Sequence, residues 1–234
     1  MTEFRPGGFQ FIPPVIKNLL ILNVLVFFAQ MTFENSRAFP INHILALHDV
    51  HSVYFKPHQL ITYMFLHGDF GHLFFNMFAL WMFGAILENL WGAKRFLIFY
   101  VACGLGAGAL HLGVLYMEMA PLWEQFQYLP IERQQELLYS DRFVINGTTV
   151  GASGSVFGCL AAFGYLFPNS LIYLYFLFPI KAKWFVMIYA GIELFLGINN
   201  SAGDNVAHWA HLGGAAVGIV IVWIWNKKNR KTFY

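Results

Sequence analysis

The sequence predicts an all-α membrane protein, a six-transmembrane helical bundle with both termini cytoplasmic. Three observations predict it. Of 234 residues, 58% are hydrophobic and only 11% are charged, where a soluble domain carries about 25% charged residues. The mean hydropathy is +0.56, and the apolar residues gather in runs separated by polar turns, as in helices that cross a bilayer. Lysine and arginine then divide unequally between the two sides that those runs define.

The chain opens with MTEFRPGGFQFIPP, which lacks the pattern of a cleavable signal peptide, so residues 1–15 read as a cytoplasmic N-terminal segment. The first span covers Ile16 to Met31, the second His72 to Leu90 and the third Phe96 to Met117. The fourth starts near Gly151 and ends before Pro168, the fifth covers Trp184 to Ile198, and the sixth covers Val206 to Trp225. Several fall short of the roughly 20 residues of a full crossing. Residues 16–225 thus form the core, and 226–234 a basic cytoplasmic tail. The run LIYLYFLFPI is too short for a further span and Pro179 interrupts it, so it reads as interfacial or packed on the bundle.

Six spans put both termini on the side that collects Arg5, Lys17, Lys94, Arg95, Lys181, Lys183 and the tail NKKNRK. The other side holds only Arg37, Lys56, Arg133 and Arg142. The positive-inside rule makes the first side cytoplasmic, in a multi-pass protein of the cell's inner or plasma membrane. The basic tail reads as a topology signal, with membrane lipids as its surroundings and no nucleic acid as partner. Two outer loops are long. Residues 33–61 carry His43, His48, His51 and His58, and residues 118–150 contain LWEQFQYLPIERQQELLYSDRF, able to form a short surface helix. Neither can build a core of its own, so both are expected to lie against the bundle. Cys103 and Cys159 sit in apolar runs, and no disulfide is expected.

Polar groups inside a span are costly and are functional candidates by default. Depth sorts them. Ser153 lies about four residues into the fourth span, roughly 6 Å at 1.5 Å per residue. His211 lies about seven residues into the sixth, roughly 10 Å down, and Asn76 is at a similar depth in the second. A serine hydroxyl attacks a carbonyl when a base takes its proton, and His211 can be that base. His72 and Asn76 are four apart and share a helix face, so both can aim at one developing oxyanion. Ser153 near a helix N-terminus adds free N–H groups and a favourable dipole. The small-xxx-small patterns GSVFG and GAAVG let the fourth and sixth helices approach closely.

GASG (Gly151 to Gly154) opening one span, AHLGGAAVG in the last and HGDFGHLFFN heading the second together resemble the rhomboid family of intramembrane serine proteases. The resemblance covers the six-helix core. It implies a bundle of rhomboid type and a serine–histidine dyad without a catalytic aspartate. It also implies cleavage of transmembrane or juxtamembrane segments of membrane proteins, at a site opening to the non-cytoplasmic side, with no cofactor and no metal. Position by position, Ser153 is the nucleophile, His211 the base, and His72 and Asn76 the oxyanion donors. Gly151 and Gly154 belong to the serine motif. His67 matches a histidine that supports structure more than chemistry. Phe157 matches a position where some members carry a tyrosine packed on the base, so packing without a hydrogen bond is expected. Some members carry a Trp-Arg pair in the first outer loop; this sequence has none.

Rival readings attach to the same residues. Ser155 is the alternative nucleophile, but two residues turn a helix by about 200°, so only one of the two serines can face His211. The HxxH pair His208 and His211, with His67 and His72, suggests a metal; no carboxylate is placed to complete it and HExxH is absent. His208 reads as a lip residue near water, and His111 and Asn23 as formers of interhelical hydrogen bonds. Glu88 reads as a backbone cap or partner at the cytoplasmic end of its span. Glu193 stays open between a buried structural carboxyl and a proton-linked role. A catalytically dead relative is disfavoured by an intact Ser153 and His211. A transporter is disfavoured by the apolar lower halves of the spans. Substrate identity and oligomeric state are not written in the sequence.

Overall fold

Pro14 opens the first helix, where its missing N–H costs nothing, and a carboxylate from elsewhere caps the turn that follows. In the computed structural model, which describes residues 8–33, 39–174, 178–199 and 206–229, helix α1 runs Pro14–Phe33. The two oxygens of Glu88 accept from the N–H groups of Val15 and Ile16, each at 2.9 Å. A buried carboxylate therefore satisfies two of the donors that a helix start leaves open. Arg5, Arg37, Asp204 and the end of the basic tail lie outside the described residues.

The chain is mostly helical. Between α1 and the next long helix lie α2 (Ile41–Leu45), the short strand β1 (Leu47–His48) and α3 (Gln59–Thr62). Helix α4 (Phe70–Ala79) starts on Asp69, whose side chain accepts from the N–H of His72 at 2.8 Å. It continues through a π-helical turn at Leu80–Gly84 into α5 (Ala85–Trp91). Gly92, with φ +80°, reverses the chain into α6 (Ala93–Gln127), which is 35 residues long. Then come α7 (Ile131–Leu138), β2 (Thr148–Thr149) and α8 (Ser153–Leu166). A hairpin, β3 (Leu171–Leu174) and β4 (Phe178–Lys181), leads to α9 (Ala182–Asn199) and finally α10 (His208–Asn229).

Five of these segments are long and apolar enough to cross a membrane: Pro14–Phe33, Phe70–Trp91, Ala93–Gln127, Ala182–Asn199 and His208–Lys227. The protein is a multi-pass membrane protein. The segment expected as the fourth span, α8, has only 14 residues, about 21 Å of helix. The third span extends well past Met117. Its end and α7 together take up the polar stretch in which a short surface helix was expected. Of the run LIYLYFLFPI, Leu171–Leu174 and residues 178–180 lie in β3 and β4, which pair antiparallel from Leu171↔Lys181 to Leu174↔Phe178.

Small residues decide which helices touch. α10 packs closely on α8 and on α6. A Cβ on Gly214 would overlap the Gly154 carbonyl oxygen, and one on Gly218 would come within 2.8 Å of the Gly158 carbonyl oxygen. The paired motifs thus face each other, backbone to backbone. Gly106 and Gly213 give α6 the same access to α10, where a Cβ on Gly213 would lie 3.1 Å from the Ala107 Cα. Around this three-helix centre the large core residues, among them Met64, Leu80, Phe96, Phe99 and Tyr100, are almost wholly buried. Cys103 and Cys159 are buried and free.

Both long loops expected on the outer side are tied to the segment leading into α8. β1 pairs antiparallel with β2, Leu47 opposite Thr149 and His48 opposite Thr148. Ser52 donates to the Asn146 side chain at 2.7 Å, and Asn146 in turn donates to the carbonyls of Leu138 and Ser140. Gln59 donates to the carbonyls of His43 and Tyr54. These bonds anchor a first outer loop that carries no Trp-Arg pair. The two loops therefore fix the approach of residues 148–152 to the helix that follows them.

Candidate active site

Ser153 is the first residue of α8, preceded by Gly151 with φ +134°. That backbone conformation is one that L side chains rarely adopt. The Gly151 N–H is held by the Tyr63 carbonyl at 3.0 Å. A Cβ at Gly151 would come within 2.9 Å of His72 Cε1 and Nε2 and 3.5 Å from Ser153 Oγ. The glycine is therefore what lets the His72 ring lie beside the serine. The next glycine, Gly154, lets α8 approach Ala107 of α6 and the Ala210 carbonyl of α10.

His211 meets the serine from α10. Its Nε2 lies 2.8 Å from Ser153 Oγ. The ring is buried, and Phe157, one turn after the serine, stacks on it with centroids 4.2 Å apart and planes 4° from parallel. Ser155 points elsewhere: fully buried, it donates to the Tyr100 carbonyl in α6 at 2.8 Å. The two serines thus face different helices, as the turn angle between them requires.

Asn76 is buried one turn beyond His72 on the same face, and its Nδ2 donates to the His72 carbonyl at 3.1 Å. One hydrogen of that amide is engaged and the other is left for a further acceptor. His67 precedes the helix and lies edge-on to His72 at 5.1 Å. Its backbone N–H donates to Gln30 Oε1 of α1, and its carbonyl accepts from Gln30 Nε2. Burial first, then the neighbouring His72, push the His67 imidazole down to about 4, so the ring is neutral at pH 7 and serves as packing. Ser153, His211, Phe157, His72 and Gly151 form one cluster, with Asn76 a turn beyond it and His67 behind.

Other intramembrane polar groups take definite places. His111 Nε2 lies 2.7 Å from Thr149 Oγ1, joining α6 to β2. Asn23 does not bridge helices through its amide nitrogen; that group bonds back to the Leu19 carbonyl of its own helix at 2.7 Å, and its buried Oδ1 has no hydrogen-bond partner among the described residues. His208 is buried, not a lip residue.

Glu193 is the residue that sequence reasoning left unplaced. Its Oε2 lies 2.7 Å from His208 Nδ1 and 2.9 Å from His211 Nδ1. A carboxylate does therefore stand beside the HxxH pair, contrary to the reading that none was placed there. Glu193, His208 and His211 are also the group among the described residues with ligand atoms close enough to hold a metal ion, within 4.8 Å of one another. Both contacts have hydrogen-bond lengths, which account for the cluster without an ion. The sequence held a clue. Glu193 and Gly197 are four apart, hence on one face, and the small residue marks a close approach: a Cβ on Gly197 would meet His208 Cβ at 3.3 Å.

A serine at a helix start thus lies within hydrogen-bond reach of a histidine from a glycine-packed neighbour, with a second histidine beside it. The Rhomboid domain model matches residues 54–228. The chain belongs to the rhomboid family. It is 32% identical over 178 residues to Rhomboid protein 1, mitochondrial, of Saccharomyces cerevisiae, covering 74% of this chain and 43% of that protein. It is 29% identical over 163 residues to Rhomboid protease GluP of Bacillus subtilis, covering 68% of this chain and 24% of that one. With Rhomboid protease AarA of Providencia stuartii it shares 28% identity over 217 residues, 87% of this chain and 69% of that one. The chain spans about half the length of the first of the curated relatives it matches.

Proposed function

We propose that this rhomboid is an intramembrane serine endopeptidase that cleaves transmembrane or juxtamembrane segments of membrane proteins through Ser153 and His211. The observation that carries the reading is the 2.8 Å contact between His211 Nε2 and Ser153 Oγ at the start of α8. His211 takes the hydroxyl proton as Oγ attacks the scissile carbonyl, and later returns it to the leaving amine. The developing oxyanion is met by His72, by Asn76 and by the backbone N–H of Ser153 at the open start of α8. Phe157 keeps the base in its plane. Gly151 and Gly154 keep the serine within reach, and His67 supports the entry to α4.

The short α8 supports placing this chemistry below a membrane surface. Its roughly 21 Å in a bilayer core of about 30 Å leaves its N-terminus several ångströms inside when its other end reaches the far interface. Counting α8 as a span gives six, with residues 16–225 as the core between a short N-terminal segment and a basic tail. The distribution of lysine and arginine puts both termini on the positive side and the site opening on the other. Since relatives' own names place some of them in mitochondria, the reading commits to this sidedness and not to one kind of membrane.

The test is covalent labelling by a fluorophosphonate probe together with cleavage of a transmembrane substrate in proteoliposomes. Wild type should label and cleave, Ser153→Ala should do neither while still folding, and Ser155→Ala should retain both. Cleavage lost with Ser155→Ala and kept with Ser153→Ala would move the nucleophile and sink the assignment.

A further inference from the structure

We infer that Glu193 is a positioning residue for His211: it fixes the imidazole in the tautomer whose Nε2 accepts the Ser153 proton, and its charge balances the imidazolium that forms. The inference rests on the serine-protease reading and departs from it in one respect. The family resemblance implies a serine and a histidine alone, whereas here a third helix, α9, brings a carboxylate to the far side of the base.

The hydrogen-bond inventory makes the argument. An ionised carboxylate only accepts, and a neutral imidazole has one N–H. Glu193 Oε2 lies 2.9 Å from His211 Nδ1, so that nitrogen carries the hydrogen. Nε2 then holds a lone pair, and it is Nε2 that lies 2.8 Å from Ser153 Oγ. The serine hydroxyl must donate to it. On attack, the Oγ–H bond breaks and its proton passes to Nε2. Oγ bonds to the scissile carbon, and the carbonyl π pair moves onto oxygen. The imidazolium so formed sits directly against the Glu193 charge, which stabilises it far more in a buried site than in water. When the leaving amine takes the proton, the ring returns to its starting tautomer.

The carboxylate is itself held. His208 Nδ1 donates to the same Oε2 at 2.7 Å, and the His208 ring stands edge-on to His211, 6.4 Å away at 88°. Glu193 is 4% exposed and His211 8%. With Phe157 stacked on one face, the base is fixed at both nitrogens and across its plane. Other titratable groups close enough to act on this pair are His72 of α4, His111 of α6, Tyr189 of α9 and His208 of α10.

Glu193→Gln keeps an accepting oxygen and removes the charge; Glu193→Asp keeps the charge and shortens the arm. Turnover per folded molecule should be measured in proteoliposomes from pH 5 to 9. Gln should lower kcat by on the order of 10²–10⁴, leave KM close to wild type, and move the acidic limb of the profile to lower pH, since an imidazolium without its counter-charge deprotonates more easily. Asp should lose less, with its acidic limb near that of wild type. If Gln does not fold, the Asp variant carries the test, and wild-type turnover in Asp counts against the inference. Wild-type kcat in Gln, or a loss with an unmoved limb, overturns it. Activity removed by a chelator and restored by zinc also overturns it, in favour of a metal held by the same three residues. Nitrogen-15 NMR of labelled histidine reads the tautomer without any cleavage. His211 should be protonated at Nδ1 and bare at Nε2 in wild type, and the reverse would sink the inference even in a protein that cleaves nothing. A wild type that shows this tautomer but neither labels nor cleaves would instead overturn the protease reading.

Discussion

At the scale of single residues, Asn76 separates chemistry from architecture. Its side chain bonds within its own helix, to the His72 carbonyl, so it joins no two helices by that bond. Losing one intramolecular hydrogen bond costs about 1 kcal/mol. An oxyanion donor is worth far more, on the order of 10²–10³ in turnover, and acts only as charge develops. Asn76→Ala should therefore keep its thermal stability to within a few degrees and its KM near wild type, while kcat per folded molecule falls by about that factor. His72→Ala, measured in parallel, should do the same. Near-normal rates per folded molecule in both variants would remove the pair from the site. Ser153, His211, His72 and Asn76 stood out in the sequence as candidates, because each is a polar side chain that an apolar span does not tolerate idly. Glu193 was legible as a candidate for the same reason, but its partner was not. Which residue a buried carboxylate meets depends on how α9 is rotated against α10, and hydropathy does not encode rotation.

At the scale of helices, the contact between α8 and α10 sets the distance between Ser153 and His211. Gly154 and Gly214 meet backbone to backbone, and Gly158 meets Gly218 one turn on. A methyl group at position 214 would overlap the Gly154 carbonyl, so the helices must part. Overpacking of this kind typically costs roughly 1–3 kcal/mol, and here it also stretches the bond from Ser153 to His211. Gly214→Ala should lower stability by about that amount and depress turnover per folded molecule as well. Gly191→Ala in α9 is the matched control, since a Cβ there meets nothing within 4 Å; it should be close to neutral in both measurements. Equal turnover in the two variants would show that the glycine contact does not set the site's geometry. The glycine pairs could be read from spacing alone. The length of α6 could not, because hydropathy marks where the bilayer ends and not where the helix does. The β3–β4 hairpin was also hidden, since a short aromatic run interrupted by proline suits a strand as well as an interfacial coil.

For the molecule as a whole, the proposed activity requires a substrate held in the bilayer to reach a serine enclosed by helices, and α9 is the least buried of the five long apolar helices. Its buried residues are Ala182, Glu193 and Gly197, while Phe195 and Ile198 near its outer end point away from the bundle. What holds that end is polar and small: the bonds from Glu193 to His208 and His211, and the contact of Gly197 with His208 and Trp209. Few buried apolar contacts mean a low cost of local opening. If the outer end of α9 swings away from α4, a transmembrane segment gains a lateral path, and Glu193 leaves the base with it. Opening would then loosen the base, and closing on the substrate would restore it. Cysteines placed at the outer ends of α4 and α9 and joined by a short cross-linker should slow cleavage of a membrane-embedded substrate by about tenfold or more, as the open fraction falls. Cys103 and Cys159, both buried, will not compete for the reagent. A small water-soluble fluorophosphonate arrives from the aqueous side, so its rate of labelling Ser153 should stay close to that of the uncross-linked protein. Undiminished cleavage at complete cross-linking would place the entrance elsewhere, and equal losses in cleavage and labelling would mean that the cross-link distorts the site instead of closing a gate.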